Sequence, residues 1–135
     1  MLNLLHIENI AVIECADITF DAGFNILTGE TGAGKSVAIA ALSFALGSRA
    51  SASLIKVGAD KMEVQAEFDS RHIPAALKEK YALEGDRLLF LRTLDRKGKG
   101  KAFINKKPVP VAALAELGKA GIIRHADIEM LKQQK

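Results

Sequence analysis

The chain has 135 residues, 49% of them apolar and 26% charged, with a formal net charge of +3. That composition describes one modest globular domain, able to bury about two-thirds of its unfolded surface, and it excludes wholesale disorder. The longest apolar stretch, Val37 to Leu46, is too short to span a bilayer, and the N-terminus lacks the basic flank and cleavage site of a signal peptide.

Leu2 to Glu8 and Ala11 to Phe20 read as two strands around an Asn9-Ile10 turn. In the second, Ile13, Cys15, Ile18 and Phe20 form one buried face, with a break near Ala16-Asp17. Cys15 is the sole cysteine, so no internal disulfide forms, and its apolar neighbours predict a buried thiol in a reducing cytoplasm. Phe24 to Thr28 is a short apolar run of the kind that buried parallel strands show. Val37 to Leu46, rich in Ala, Leu and Phe, predicts a helix with Gly47 as its C-cap.

A polar stretch from Ser48 to Ser53 leads to a short strand at Leu54 to Val57. Lys61 to Phe68 alternates cleanly, Met62, Val64, Ala66 and Phe68 inward, as a half-solvated antiparallel strand does. Ile73 to Tyr81 reads as a helix with Pro74 in its first turn. Arg87 to Leu94 and Lys101 to Asn105 make a hairpin around residues 95–100. Pro110 to Leu117 is helical and Gly118 ends it; residues 122–135 read as a short strand turning into a polar helix.

Between the third strand and the first helix stands Gly29-Glu30-Thr31-Gly32-Ala33-Gly34-Lys35-Ser36, a complete G-x-x-x-x-G-K-[ST] phosphate-binding loop. Gly29, Gly32 and Gly34 let the backbone approach an anion without a Cβ in the way. Their N–H groups, with the positive end of the following helix, form a nest for phosphate oxygens. Lys35 is expected to place its ammonium between the β- and γ-phosphates, and Ser36 to ligate Mg²⁺ through its hydroxyl. The ligand implied is ATP·Mg²⁺. An ordinary glycine-rich turn is the blander alternative.

Arg96, Lys97, Lys99, Lys101, Lys106 and Lys107 crowd one stretch in which Asp95 is the sole acid. A basic hairpin tip can meet a nucleic-acid backbone; it can equally be a solvated turn. The apolar run Leu88-Leu89-Phe90-Leu91 with Asp95 imitates a Walker B strand, but it runs into the lysine-rich turn and reads as half of the hairpin.

Two strands precede the phosphate loop's own strand. That implies an additional antiparallel sheet built from residues 2–20 and 61–105, the plan of ABC-type ATPase heads. The fold class is therefore α/β, a P-loop NTPase lobe of ABC type with a mixed sheet and an antiparallel β lobe. Residues 1–13 and 24–36, with Thr28 to Ser36 reading Thr-Gly-Glu-Thr-Gly-Ala-Gly-Lys-Ser, resemble the start of the RecN family, bacterial recombination and DNA-repair ATPases related to the SMC proteins. The resemblance continues through Leu46 to Ala50, Ile55 to Ala59, Leu91-Arg92, Phe103 to Asn105 and Val109-Pro110.

That resemblance implies the N-terminal half of a split ABC/SMC-type head over residues 1–120, with 121–135 a divergent tail where a coiled coil would begin. It implies ATP binding in double-strand break repair, a C-terminal head half and a second head as partners in an ATP sandwich, DNA as a further partner, and a cytoplasmic, nucleoid-associated location. No Leu-Ser-Gly-Gly-Gln-like segment and no Walker B acid stand in this chain, so ATP hydrolysis is expected only with the C-terminal half. In the tail, His125 matches a family histidine while Asp127 falls where a glutamine is usual. The rivals are a self-contained small-molecule kinase, with Arg92 and Arg96 as lid arginines, and a folded fragment with no nucleotide function.

Overall fold

The computed structural model describes residues 2–19, 25–26, 32–69, 73–83 and 85–118. Phe20 to Phe24 and the tail, with His125 and Asp127, lie outside them. In chain order the elements are β1 (Leu2–Ile10), β2 (Ile13–Thr19), β3 (Asn25–Ile26), α1 (Gly32–Ala45), a 3-10 turn (Ala52–Leu54), β4 (Lys61–Asp69), α2 (Ala75–Lys80), β5 (Arg87–Asp95), β6 (Gly100–Ile104), β7 (Lys107–Pro108) and α3 (Val111–Leu117). The strands form one seven-stranded sheet in the order β3-β2-β1-β4-β5-β6-β7, with every described pairing antiparallel.

Alternation decides which face is buried. Met62, Val64, Ala66 and Phe68 of β4 are fully buried, and Leu88, Phe90, Arg92 and Leu94 of β5 take the same side. The Phe68 and Phe90 rings meet at 5.1 Å, tilted by 58°. Each large apolar side chain among them contributes about 1.5–3 kcal/mol by leaving water. Onto this face pack α1, against β1, β4 and β5, and α3, against β6. Helix α3 contributes Ala113, Leu114 and Leu117. At the rim, Lys80 and the Tyr81 hydroxyl both donate to Glu116, tying α2 to α3.

The first hairpin departs from expectation. Its turn lies at Ala11-Val12, not Asn9-Ile10, with Ile10 and Ile13 facing each other across it. Leu5 and Ile7 point inward, and a left-handed Asn9 (φ 57°) resets the parity so that Ile10 points inward as well. Asn and a few other residues tolerate that backbone region. The shift lets Ile10 bridge Ile55, while Ala11 N–H donates to Leu54 and Lys56 N–H to Asn9. The strand expected at Leu54 to Val57 is thus a single bridge after the 3-10 turn.

In β2 the buried residues are Ala16 and Ile18, without a break at Ala16-Asp17. Cys15 falls on the opposite parity and is exposed, which overturns the buried thiol. Residues 25–26 enter antiparallel to β2, where the run Phe24 to Thr28 had suggested a parallel strand. The antiparallel lobe expected from residues 2–20 and 61–105 is present, as is the hairpin of β5 and β6 that the Walker B imitation was assigned to. Strand β7, unforeseen, pairs Lys107 and Pro108 back onto β6.

Candidate functional site

Helix α1 begins at Gly32, inside the glycine octet. Gly32, Ala33, Gly34, Lys35 and Ser36 form its first turn as backbone; Gly29, Glu30 and Thr31 lie outside the described residues. The first-turn N–H groups of any helix have no partner within it, and the summed peptide dipoles make that end positive. No acidic residue stands in this turn to compete for it. The donor chemistry fits an anion.

The other end of α1 is closed from within. Gly47, at φ 94°, donates to Phe44 at 3.1 Å and Ser48 donates to Ser43 at 3.0 Å, the paired reverse bonds of a Schellman cap. A Cβ built on Gly47 would lie 2.8 Å from the Ala115 nitrogen of α3, so only glycine permits this approach. Arg92 adds a third element. Its Nη1 donates to the Phe44 carbonyl at 2.7 Å and to the Ser48 carbonyl, and its guanidinium carbon lies 4.2 Å from the centre of the Phe44 ring. Burial lowers the Arg92 pKa. Sequence reading treated Arg92 as a possible lid residue; the inward parity of Leu88, Phe90 and Leu94 was the signal that it belongs to the core.

The basic run of residues 96–107 does not form one patch. Lys97, Lys99 and Lys101 cluster at the β5–β6 tip, while Lys106 and Lys107 lie at the far end of β6, roughly 15 Å away. The tip is tightly organised: Asp95 Oδ1 accepts from Lys97 N–H and Lys99 N–H, both at 2.9 Å. Arg96 is spent on structure, donating to the Ala59 carbonyl at 2.7 Å and to the Lys56 carbonyl at 2.9 Å. Neither Arg92 nor Arg96 is a free lid arginine. The fold also brings Lys56 and Lys61 to this end of the sheet, a gathering the sequence order hides. An open concavity of about 720 Å³ sits beside the tip, lined by Leu91, Thr93 and Phe103 together with Lys61, Lys99 and Lys101 and the carboxylates of Glu63 and Asp95.

On the outer face of β1 and β2, His6 lies between Asp17 and Glu8. Burial pulls its pKa down, but hydrogen bonds and charge from Asp17, then Glu8, outweigh that and hold it above the ordinary value. Nearby, desolvation and then the carboxylates of Asp17, Glu8 and Glu14 push the Cys15 thiol up, so it is not an activated thiolate. Among the described residues no cluster of His, Cys, Asp and Glu could hold a metal ion, and no helix is long and apolar enough to cross a membrane.

With this geometry the comparisons agree. The family model of the AAA domain matches residues 4–109. The DNA repair protein RecN of Vibrio cholerae is 39% identical over 99% of this chain, and that of Bacillus subtilis 34% identical over 88%. The chain spans about a quarter of such relatives, 25% and 21% of their lengths respectively. Among solved structures, one described under the ATP-driven dimerization and DNA-stimulated activation of SMC ATPases superimposes with a TM-score of 0.72 at 22% identity, over 99% of this chain and 92% of that one. The SMC head domain from Thermotoga maritima gives 0.61 at 20% identity, over 85% of this chain and 41% of that one. These likenesses establish the fold as that of an SMC-type head lobe. The chain belongs to the AAA domain family, as a RecN-like member of it.

Proposed function

We infer that the chain is the ATP·Mg²⁺-binding part of a RecN-like ATPase acting in recombinational repair of DNA double-strand breaks. The observation that carries this reading is a helix that starts within the phosphate-loop octet, bears no acid in its first turn, and follows a strand at the sheet edge. In the reading, the N–H groups of residues 29–36 hold the α- and β-phosphates, Lys35 neutralises charge between the β- and γ-phosphates, and Ser36 supplies a hydroxyl to Mg²⁺. Bound Mg²⁺ supplies charge neutralisation at the phosphates. Residues 1–120 act as one half of a head, completed by a C-terminal half and facing a second head across the nucleotide; a cytoplasmic, nucleoid-associated location follows.

Phosphoryl transfer is positioning plus charge stabilisation, and this chain brings only one face of that arrangement. It binds and does not turn over. Calorimetry with MgATP, together with ATPase assays with and without an added C-terminal head half, tests the reading. Binding by the chain alone and turnover only in the mixture are expected. Hydrolysis by the chain alone would refute the split head, and a heatless titration at millimolar nucleotide would refute the nucleotide site.

The tip of the β5–β6 hairpin supports DNA as a partner. Four ammonium groups on phosphates give a slope of about −3.6 for log affinity against log salt on duplex DNA. Replacing Lys97, Lys99 and Lys101 by Gln should flatten that slope and leave MgATP binding intact. An unchanged slope would make the tip a solvated turn.

A further inference from the structure

Among the described residues, three of the six buried side chains of helix α1 are alanines. Ala38, Ala41 and Ala45 are wholly buried, with Val37 and Leu42 beside them. The alanine part of this face packs closely but raises only low ridges, which resist sliding along the helix axis less than larger side chains do. Among the described residues, the contacts that resist a slide stand at the C-terminal end, where Phe44 is buried, Arg92 holds two carbonyls and Ala115 blocks Gly47.

Arg92 is the single charged or polar residue buried among the described residues, at 9% exposure. Its hydrogen-bond partners are two carbonyls at the negative end of a helix. An apolar side chain of similar volume would fill the space without desolvating a guanidinium. Arg92 adds direction instead: two hydrogen bonds and a ring contact fix both the height and the rotation of α1. The helix is 14 residues long, about 21 Å, and stiff over that length, so a displacement at one end is delivered at the other.

We propose that Arg92 is a positioning residue for phosphate binding: its grip on Phe44 and Ser48 sets where the first turn of α1 meets the phosphates at the opposite end of the helix. The inference rests on the nucleotide reading above. Its sensitivity comes from geometry, since charge-assisted hydrogen bonds keep their strength over only a few tenths of an ångström.

The test titrates MgATP into the 135-residue chain carrying Arg92→Met, with Phe68→Leu as a control that loosens the core on β4 away from this clamp. Arg92→Met should raise Kd by about fivefold or more, as misplacement far from a reacting centre does, while the control leaves Kd at the parent value. Amide exchange at Gly34 to Ser36 in the nucleotide-free chain should quicken in Arg92→Met alone. Arg92→Lys, which keeps a donor, should recover part of the affinity. A parent-like Kd in Arg92→Met, or an equal rise in the control, reduces Arg92 to a cap and overturns the proposal. If Arg92→Met does not fold, Arg92→Lys decides: a parent-like Kd overturns the role, and a raised Kd at unchanged melting temperature supports it. A parent chain that binds no MgATP sinks the nucleotide reading itself, and the positioning role falls with it.

Discussion

At its C-terminus α1 closes on protein groups: Gly47 and Ser48 turn back onto Phe44 and Ser43, Arg92 takes two carbonyls, and Ala115 packs against the glycine. At its N-terminus the same helix opens with Gly32 and Gly34, residues that leave room for close approach and are poor at holding a helix together. A helix end finished from within adds stability. One whose first-turn N–H groups have no partner within the helix, and which bears no acid there, suits an anion. On the proposed nucleotide reading, stability and ligand binding fall to opposite ends of one rod, and substitutions should separate them.

The largest effect is expected at the open end. Lys35→Ala removes a charge-assisted contact worth about 1.5–3 kcal/mol, so MgATP should bind roughly 10–150-fold more weakly. Thermal melting of the nucleotide-free chain should be unchanged. Equal affinity in the mutant, measured by calorimetry, would break the comparison at once.

Gly47→Ala attacks the closed end. The residue sits at φ 94°, where any side chain is strained, and the new methyl would press within 2.8 Å of the Ala115 nitrogen. Together these should cost about 1–3 kcal/mol in a urea melt. Nucleotide affinity, corrected for the folded fraction, should fall less than in Lys35→Ala. A stability equal to the parent's would mean that α3 yields and that the end is less closed than described.

The smallest effect lies away from both ends, at His6. Its folded pKa is raised above 6.5, so its contribution to stability is complete below that value and is lost as the pH climbs through the folded pKa. With solvent screening the change should not exceed about 1 kcal/mol between pH 6 and pH 8.5. Urea melts at the two pH values measure it, and Asp17→Asn should shrink the difference. A larger dependence surviving in Asp17→Asn would place the titrating group elsewhere.

Where one simple period governed a segment, reading the residues was enough. Lys61 to Phe68 alternates without exception, and β4 matches it residue for residue. The β1–β2 turn was misplaced because one left-handed residue, Asn9, resets the alternation, and nothing in the neighbouring residues announces it. Helix α1 starts five residues before its apolar run does, because glycines that weaken a helix are tolerated where a sheet and a clamp hold the rest. The octet at residues 29–36 could be proposed as a phosphate loop from the sequence alone; the anchor at the far end of α1 could not be foreseen, since Arg92 meets Phe44 and Ser48 only through a contact 44 to 48 residues distant in sequence. The lysines of the hairpin misled in the opposite sense, for neighbours in the chain were divided by the length of β6.

The clamp at Arg92 has one more property. A guanidinium does not lose its proton in proteins even when burial lowers its pKa, and a carbonyl has none to gain. No member of this contact can be switched by acid or base. The His6 pair between β1 and β2 weakens as the solution turns alkaline, whereas the seat of α1 keeps the same charges in any solution where the chain stays folded. An alkaline solution should therefore loosen the β1–β2 pairing while α1 still rests against β5.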